Sequence, residues 1–498
     1  MKPRSQESSA IPKDSAELIE KIQTVFGSPF DLQIEKRIGG RVTLVYLSSL
    51  INNREIQDNL LAPLNEPETR LNCSGKLIWD ELLPFVSGRG RNPREKMADV
   101  WTDLLSGRVI MHLNGNHLVY SYEAHKVAKR QPTDPQAERS IRAPRISFIE
   151  TLEDNLSLIR DGVRDTRLRV EKVVIGTRTK TDVAIIYFQD IAMPGVVQEV
   201  HGRLNSFAID GILDSGYLEQ LISDNRWSIF PLAQNTERPD KAKSALLEGR
   251  VVLLTDGSPQ ALIVPSTIND LYQSPEDYYF GFWFGSFLRA FRILGNNIAV
   301  ALPGLYVALT GVNNSLLPIQ FTLAVGGSRL GVAMPLVIEI LLIEVLIEVF
   351  REASLRLPSP LSQTLGVTTG VVLGTAAVQA GIVSSATLVV VVVTAIASFS
   401  GPNFSIGFSW RILKFGLIII AAAFGLFGLT MAGLVILAHA AMQSSFGVPF
   451  LAPWSPVRFH ALIDTVTRRP LWLPKRFQIY QTVEKRRFRD RRKENDGE

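Results

Sequence analysis

The sequence predicts an α+β N-terminal region, made of two similar small soluble domains, followed by a multipass α-helical transmembrane domain. Three observations carry this. First, residues 357–410 contain no Asp, Glu, Lys or Arg. A soluble core rarely holds so long an uncharged run, because its helices must also show a wet face. A bilayer core of roughly 30 Å needs about 20 apolar helical residues, so the stretch fits two crossings with a turn near 381–385. Second, the polar half repeats itself. Thr43-Leu-Val-Tyr-Leu47 is matched by Ala184-Ile-Ile-Tyr-Phe188, and Leu104-Leu-Ser-Gly-Arg-Val109 by Leu246-Leu-Glu-Gly-Arg-Val251. Two matches at nearly one offset argue for a duplicated module. Third, the aromatic run Asp277-Tyr-Tyr-Phe-Gly-Phe-Trp-Phe284 precedes Arg289 and Arg292, and rings flanked by basic residues mark a membrane interface.

In chain order, residues 1–29 read as a flexible arm. Domain 1 covers 30–140 and domain 2 covers 141–272, with the linker-like Arg130-Gln-Pro-Thr-Asp-Pro-Gln136 near the boundary. Each domain opens with a strand pair, 32–36 with 42–47 and 168–175 with 183–189. A helix follows, over 53–61 and 195–204. A later helix ends at Gly107 or Gly249, the usual left-handed cap. The hairpins 109–113 with 118–122 and 251–254 with 261–264 turn at Asn114-Gly115 and Asp256-Gly257. Arg108 and Arg250 recur at one place in both copies. They suit an anion site or, more plainly, a local salt bridge.

The 498 residues carry a formal net charge of +5 and one cysteine, Cys73. That excludes intramolecular disulfides and multi-cysteine metal clusters. The six histidines show no zinc spacing, and no phosphate-binding or nucleophile-elbow motif stands in a convincing context. No cofactor, metal or catalytic constellation is expected, and the chain does not read as an enzyme. Residues 1–30 show no signal-peptide pattern, so the polar half is expected on the side of synthesis. The tail, 466–498, is basic. Between Arg468 and Lys493 stand eleven Lys and Arg against Glu484 and Asp490. After membrane helices such a cluster reads as a cytoplasmic segment held by anionic lipid rather than a nucleic-acid arm.

The transmembrane domain spans 273–465. Its apolar runs are 293–312, the short 316–325, 335–351, 364–383, 387–399 and 417–439. The third carries Glu339, Glu344, Glu348 and Arg351. Charged groups in a membrane face protein or water, so these four form a cation-attracting vestibule or an inter-helix polar face. On 363–383, Thr364, Thr368, Thr375 and Gln379 share one helix face, with Val371 and Val372 between them. Gly366, Gly370 and Gly374 form a small-residue ridge opposite. In a ring of subunits the polar stripe would line water, and a valine would gate by dewetting. The plainer alternative is hydroxyls bonded to neighbouring helices. If all five long runs span, the count is odd and the basic tail lies opposite the N-terminal domains, which conflicts with the positive-inside rule. Either the Glu-bearing helix lies along the interface or the Pro-rich segment 444–456 helps to re-cross.

Pro303-Gly-Leu-Tyr-Val-Ala-Leu309, Ile338-Glu-Ile-Leu-Leu-Ile-Glu-Val-Leu-Ile-Glu348, Arg351-Glu-Ala-Ser-Leu-Arg-Leu-Pro358, Ala380-Gly-Ile-Val383, Thr394-Ala-Ile-Ala-Ser398 and Ser445-Phe-Gly-Val-Pro-Phe450 resemble the GerA family over about 30–480. Phe450 stands where the family usually has Tyr. The resemblance implies the A subunit of a nutrient germinant receptor in the inner spore membrane. It implies partners too: a transporter-like B subunit, a lipoprotein C subunit, and further copies of the chain in a pentamer. It implies a nutrient-gated channel that releases monovalent cations when germination starts. The alternative class is a secondary transporter binding a small nutrient at mid-membrane. Its usual repeat of membrane halves is not visible here.

Overall fold

The computed structural model describes residues 10–64, 79–84, 86, 90–125, 135, 138, 140, 142–356, 374–468 and 470. Its described residues form two units. One runs to Arg226 and resumes over Ala233–Pro265; the other comprises Trp227–Leu232 and the chain from Ser266 onward.

The first unit contains two five-stranded antiparallel sheets. Strands β1 (Leu32–Arg37), β2 (Val42–Leu47), β3 (Asn92–Arg94), β4 (Arg108–Leu113) and β5 (Val119–Glu123) take the order β1-β2-β4-β5-β3. Strands β6 (Leu168–Ile175), β7 (Thr181–Phe188), β8 (Gln234–Thr236), β9 (Val251–Thr255) and β10 (Ala261–Val264) take the order β6-β7-β9-β10-β8. The two orders are identical after renumbering. Helix α1 (Ser15–Phe26) precedes the first sheet as α3 (Leu152–Gly162) precedes the second. Helices α2 (Met97–Leu105) and α6 (Pro239–Leu247) precede β4 and β9. Gly107 and Gly249 both have positive φ, the geometry a left-handed helix cap needs. Helices α4 (Pro194–Ser206) and α5 (Ser215–Ile222) complete the unit.

Two expectations change here. Residues 15–26, expected in a flexible arm, form α1. Asp14 accepts from Ala16 N at its start and Gly27 closes it. Leu18, Ile22 and Phe26 lie on one face and pack under β2 and β4, so the arm is part of the core. The helix expected over 53–61 is a single α-turn, Asn53–Ile56, continuing as a π-helix over Gln57–Leu61. Arg108 lies 3.9 Å from Asp103, and Arg250 bonds Glu248 at 2.7 Å and Gln234 at 3.0 Å. Both arginines make local ion pairs.

The second unit is helical: α7 (Ile268–Tyr272), α8 (Glu276–Tyr279), α9 (Phe282–Val307), α10 (Ile319–Ser328), α11 (Leu336–Arg356), α12 (Gly374–Gln379), α13 (Ser385–Ser398), α14 (Phe404–Met442) and α15 (Phe459–Val466). A short hairpin, β11 (Ser444–Ser445) with β12 (Val448–Pro449), follows α14. Helix α9 starts within the aromatic segment, and a π-turn extends it to Val312. By length and composition, Phe282–Val312 and Phe404–Met442 can each cross a membrane.

Helix α14 was expected as one crossing over 417–439. It is a hairpin instead. Gly425 has φ 60° and ψ −148° and breaks it. The ring of Phe230 lies 5.4 Å from Trp410 and 6.0 Å from His439, residues that a straight helix would hold about 44 Å apart. Leu417 and Leu429 both lie against Gly304, and a Cβ on Gly428 would meet Ile420 O at 3.0 Å. The arms 404–424 and 426–442 therefore run antiparallel, about 31 and 26 Å long.

Contacts fix the directions of the other helices. At one end of this unit, Arg351 bonds Ser398 and Glu348 bonds Arg411. At the other end, Asn313 Oδ1 accepts from Leu426 N at 2.8 Å, Ala333 N donates to Gly381 O, and Glu339 accepts from Ser384 N. Helix α9 runs from the first end to the second, α11 back, α13 back again, and the arms of α14 out and back. Among the described residues that makes five passages, with Arg351 at the first end and Gly381 at the second.

Candidate functional site

Helix α11 presents three carboxylates to its neighbours, and each has a partner outside the helix. Glu339 is fully buried. Its Oε1 accepts from Ser384 N at 2.6 Å and Ser384 Oγ at 2.8 Å, which places the carboxylate on the N-terminus of α13. Arg329 Nε lies 3.5 Å from Oε2. Thr387 Oγ1 joins Ser384 Oγ at 2.8 Å and Tyr306 OH at 3.3 Å. A helix N-terminus favours an anion through its free amides and dipole, and here the anion comes from the chain itself.

Glu344 pairs with Lys414 on the first arm of α14, both almost completely buried. Its Oε1 is buried with no hydrogen-bond partner among the described residues. One turn along, Glu348 Oε2 accepts from Arg411 at 3.1 Å and Oε1 from Arg351 at 3.4 Å. Arg351 also donates to Ser398 Oγ at 3.0 Å and lies over the Phe399 ring. Arg411 sits 4.0 Å over the Phe408 ring. Glu344, Glu348 and Arg351 thus form an inter-helix ladder, joined by two cations, Arg411 and Lys414. Those two were visible in the sequence as the basic residues just ahead of the last apolar run; their pairing with α11 was not.

The stripe expected to line a pore falls mostly outside the described residues: Thr364, Thr368, Val371 and Val372, with Gly366 and Gly370. Thr375 and Gln379 lie on α12 and are exposed. A Cβ on Gly374 would lie 3.6 Å from Leu388, an ordinary contact between α12 and α13. Of the two asparagines on α9, Asn297 bonds its own helix at Ile293 O, and Asn296 lies against Gly401.

Two knots hold the first end together. Buried Asp277 accepts from Arg289 Nε at 3.0 Å and from Arg292. Arg468 donates to Phe280 O at 2.6 Å, and Arg289 and Arg468 lie over the Tyr278 ring at 5.6 and 5.5 Å. Arg289 also reaches Asp464, so the chain entering α9 is tied to α15. In the second knot, Ser445 Oγ accepts from Ser266 N at 3.0 Å and donates to Leu232 O at 2.6 Å. Phe446 and Gly447 turn the β11–β12 hairpin with φ of 49° and 76°. Phe450 is buried 5.6 Å from the ring of Phe230. Ser445, Phe446, Gly447 and Phe450 thus make the motif 445–450 a structural joint.

The sequence matches the Bacillus/Clostridium GerA spore germination protein family over residues 20–478. The chain belongs to the GerA family. Spore germination protein B1 of Bacillus subtilis (strain 168) is 39% identical over 437 residues, covering 88% of this chain and 90% of the relative. Spore germination protein KA of the same organism is 34% identical, covering 93% of this chain and 85% of the relative. Spore germination protein GerLA of Bacillus cereus is 34% identical, covering 91% and 93%. Among solved structures, the N-terminal domain of the A subunit of the Bacillus megaterium spore germinant receptor GerK3 is 29% identical. It covers 52% of this chain and 98% of that one, at a TM-score of 0.40. The GerA match begins at residue 20, inside α1.

Proposed function

We propose that this chain is the membrane A subunit of a spore nutrient germinant receptor. It crosses the inner spore membrane six times with both ends of the chain in the cytoplasm. It works with a transporter-like B subunit and a lipoprotein C subunit, and has no enzymatic role. It oligomerises, as a pentamer, into a nutrient-gated channel for monovalent cations. The observation that carries the reading is the near end-to-end similarity to spore germination protein B1. The helical unit supports it, because buried acid–base pairs inside so apolar a bundle suit a membrane protein whose charges face protein or water. Thr364, Thr368, Thr375 and Gln379 line the path, and Val371 or Val372 closes it.

Potassium release from spores tests this. Spores carrying the chain with its B and C partners, given a mixture of amino acids, glucose and nucleosides, are expected to release potassium downhill without saturable exchange. Val372→Ala is expected to leak without the mixture. The break at Gly425 gives the transporter alternative one structural point, since transporters use discontinuous helices. Saturable exchange of a labelled nutrient, with no downhill cation flow, would favour that reading instead.

A further inference from the structure

One stretch of the polar half packs with the helices. The chain up to Arg226, and again over Ala233–Pro265, belongs to the sheet unit, but Trp227–Leu232 belongs to the helical one. At its centre is Phe230, 2% exposed. Its ring stands 5.4 Å from Trp410 on the first arm of α14, 6.0 Å from His439 on the second, and 5.6 Å from Phe450. Phe230 is therefore a wedge at the open end of the α14 hairpin. Ser409 Oγ donates to Ile229 O at 2.6 Å, which fixes the stretch along the first arm. Three residues before the wedge, Trp227 is 93% exposed, and Ile229 is exposed too.

The arm sets the level of this pair. Ser409 lies about 24 Å from the Gly425 turn, at roughly 1.5 Å per residue. Trp227 stands two residues before Ile229, so its backbone is within about 7 Å of that level. A hydrocarbon core is roughly 30 Å thick, and the headgroup layers bring the whole to about 40–45 Å. With the Gly425 turn at one edge of the core, Trp227 falls at the other. Its surroundings at the first end are of the same kind. Phe404 and Phe408 on the first arm, Met442 at the end of the second, Trp283 at the start of α9 and Trp454 after Phe450 are all exposed. These side chains come from separate stretches of the chain, not from one face of one element. A protein partner is met by anchors clustered at the centre of a patch. Rings contributed by several elements at one end of a bundle suit a layer instead. Indole has an apolar body and a polar N–H, and fits the boundary between acyl chains and headgroups.

We propose that residues 227–230 are a membrane anchor whose partner is phospholipid, with Trp227 in the headgroup layer of the cytoplasmic leaflet and Phe230 wedging the α14 hairpin. The lipid contact holds the wedge in place. The arms 404–424 and 426–442 are then spaced at the cytoplasmic edge by a residue that belongs to neither. The anchor rests on the membrane topology proposed above, and the test separates the two.

The full chain with Cys73→Ser, which has no other thiol, is purified in detergent. It is reconstituted into vesicles of phosphatidylcholine and phosphatidylglycerol. A nitroxide spin label is carried by Trp227→Cys or by Leu434→Cys, an exposed position midway along the second arm. Ile229→Cys is a second site on the anchor, should Trp227→Cys lower the yield. Relaxation of the label is read with three agents. These are nickel chelated to a lipid headgroup, a water-soluble nickel chelate, and oxygen, which concentrates in hydrocarbon. At 227 the headgroup nickel should be the most effective agent. At 434 oxygen should be, with the effect of both nickel agents lost. If soluble nickel leads at 227, the ring is in water; if oxygen leads, it is below the headgroups; if none acts, protein covers it, a second copy included. Each of these overturns the anchor, and with oxygen leading at 434 the crossing of the second arm stands. If headgroup nickel leads at 227 but soluble nickel leads at 434, the anchor stands and the proposed topology falls.

Discussion

Arg160 and Asp31 show what a single buried pair contributes. Both are about 1% exposed, 2.7 Å apart, and Ser49 Oγ donates to the second oxygen of Asp31 at 2.6 Å. Arg160 belongs to α3 and Asp31 precedes β1, so the pair ties the first sheet to the second. Arg169 adds a second tie, donating to Val25 O and lying flat against Gly27 at the end of α1. Removing one partner of a buried pair leaves a bare charge and costs about 3–5 kcal/mol, whereas replacing both with apolar groups is often neutral. Arg160→Ala should therefore lower the stability of the sheet unit by that amount, and Arg160→Met with Asp31→Leu should recover most of it. Thermal melts of the detergent-solubilised chain, read by limited proteolysis of the sheet unit, check this. Equal losses in both variants would refute it. The tyrosines picked out by the sequence repeat take equivalent roles. Tyr46 donates to Glu35 and Tyr187 to Glu171 at 2.6 and 2.5 Å. Burial first, and then the carboxylate, push both phenols well above their ordinary range, so both remain protonated donors.

Among the elements, α14 is where hydropathy misleads. From Leu417 to His439 the sequence is uniformly apolar, and a window scan reads it as one crossing. The reversal depends on one backbone conformation, φ 60° with ψ −148°, at Gly425, a region essentially closed to residues with a Cβ. Asn313 Oδ1 satisfies the freed amide of Leu426, and a Cβ on Gly425 would lie 2.1 Å from that oxygen. Gly425→Ala should thus cost roughly 1–3 kcal/mol in backbone strain alone, and the clash adds to it. The expected result is loss of the chain from the membrane fraction, measured by immunoblot. Gly433→Ala, in open space on the second arm, should leave abundance unchanged. A normal amount of Gly425→Ala protein would rule out the hairpin.

For the molecule as a whole, the hairpin decides the parity of passages. Five apolar runs read as five crossings leave the basic tail opposite the N-terminal half, against the positive-inside rule. The reversal within α14 adds one passage, so the proposed topology has six crossings and the conflict is removed. Cysteine accessibility in intact cells, again with Cys73→Ser, checks the topology. Asn314→Cys and Phe427→Cys, both at the second end of the unit, should react with a membrane-impermeant thiol reagent added outside. Phe404→Cys should react only after permeabilisation. A reporter fused after Glu498 should be active only in the cytoplasm. Outside labelling of position 404 would reverse the orientation, and protection of 427 with labelling of 442 would restore the single crossing.

What the sequence determined by itself was local. β-rich composition in each copy of the repeat placed β2 at 42–47 and β6 at 168–175, as the structure has them, because strand-forming residues lie next to one another in the sequence. The spacing of Glu344, Glu348 and Arg351 gave one helix face for the same reason. Family membership was legible because its motifs are contiguous. Tertiary structure decided whatever depends on residues far apart in the chain. Helix α1 joins the core only because β2 and β4 supply the surface that buries Leu18 and Ile22. Glu344 is neutralised only because Lys414, seventy positions on, is brought to it. The direction of half of α14 turns on one dihedral pair at Gly425. Such pairings are set by which surfaces meet once the chain is packed, and no window along the sequence contains both partners.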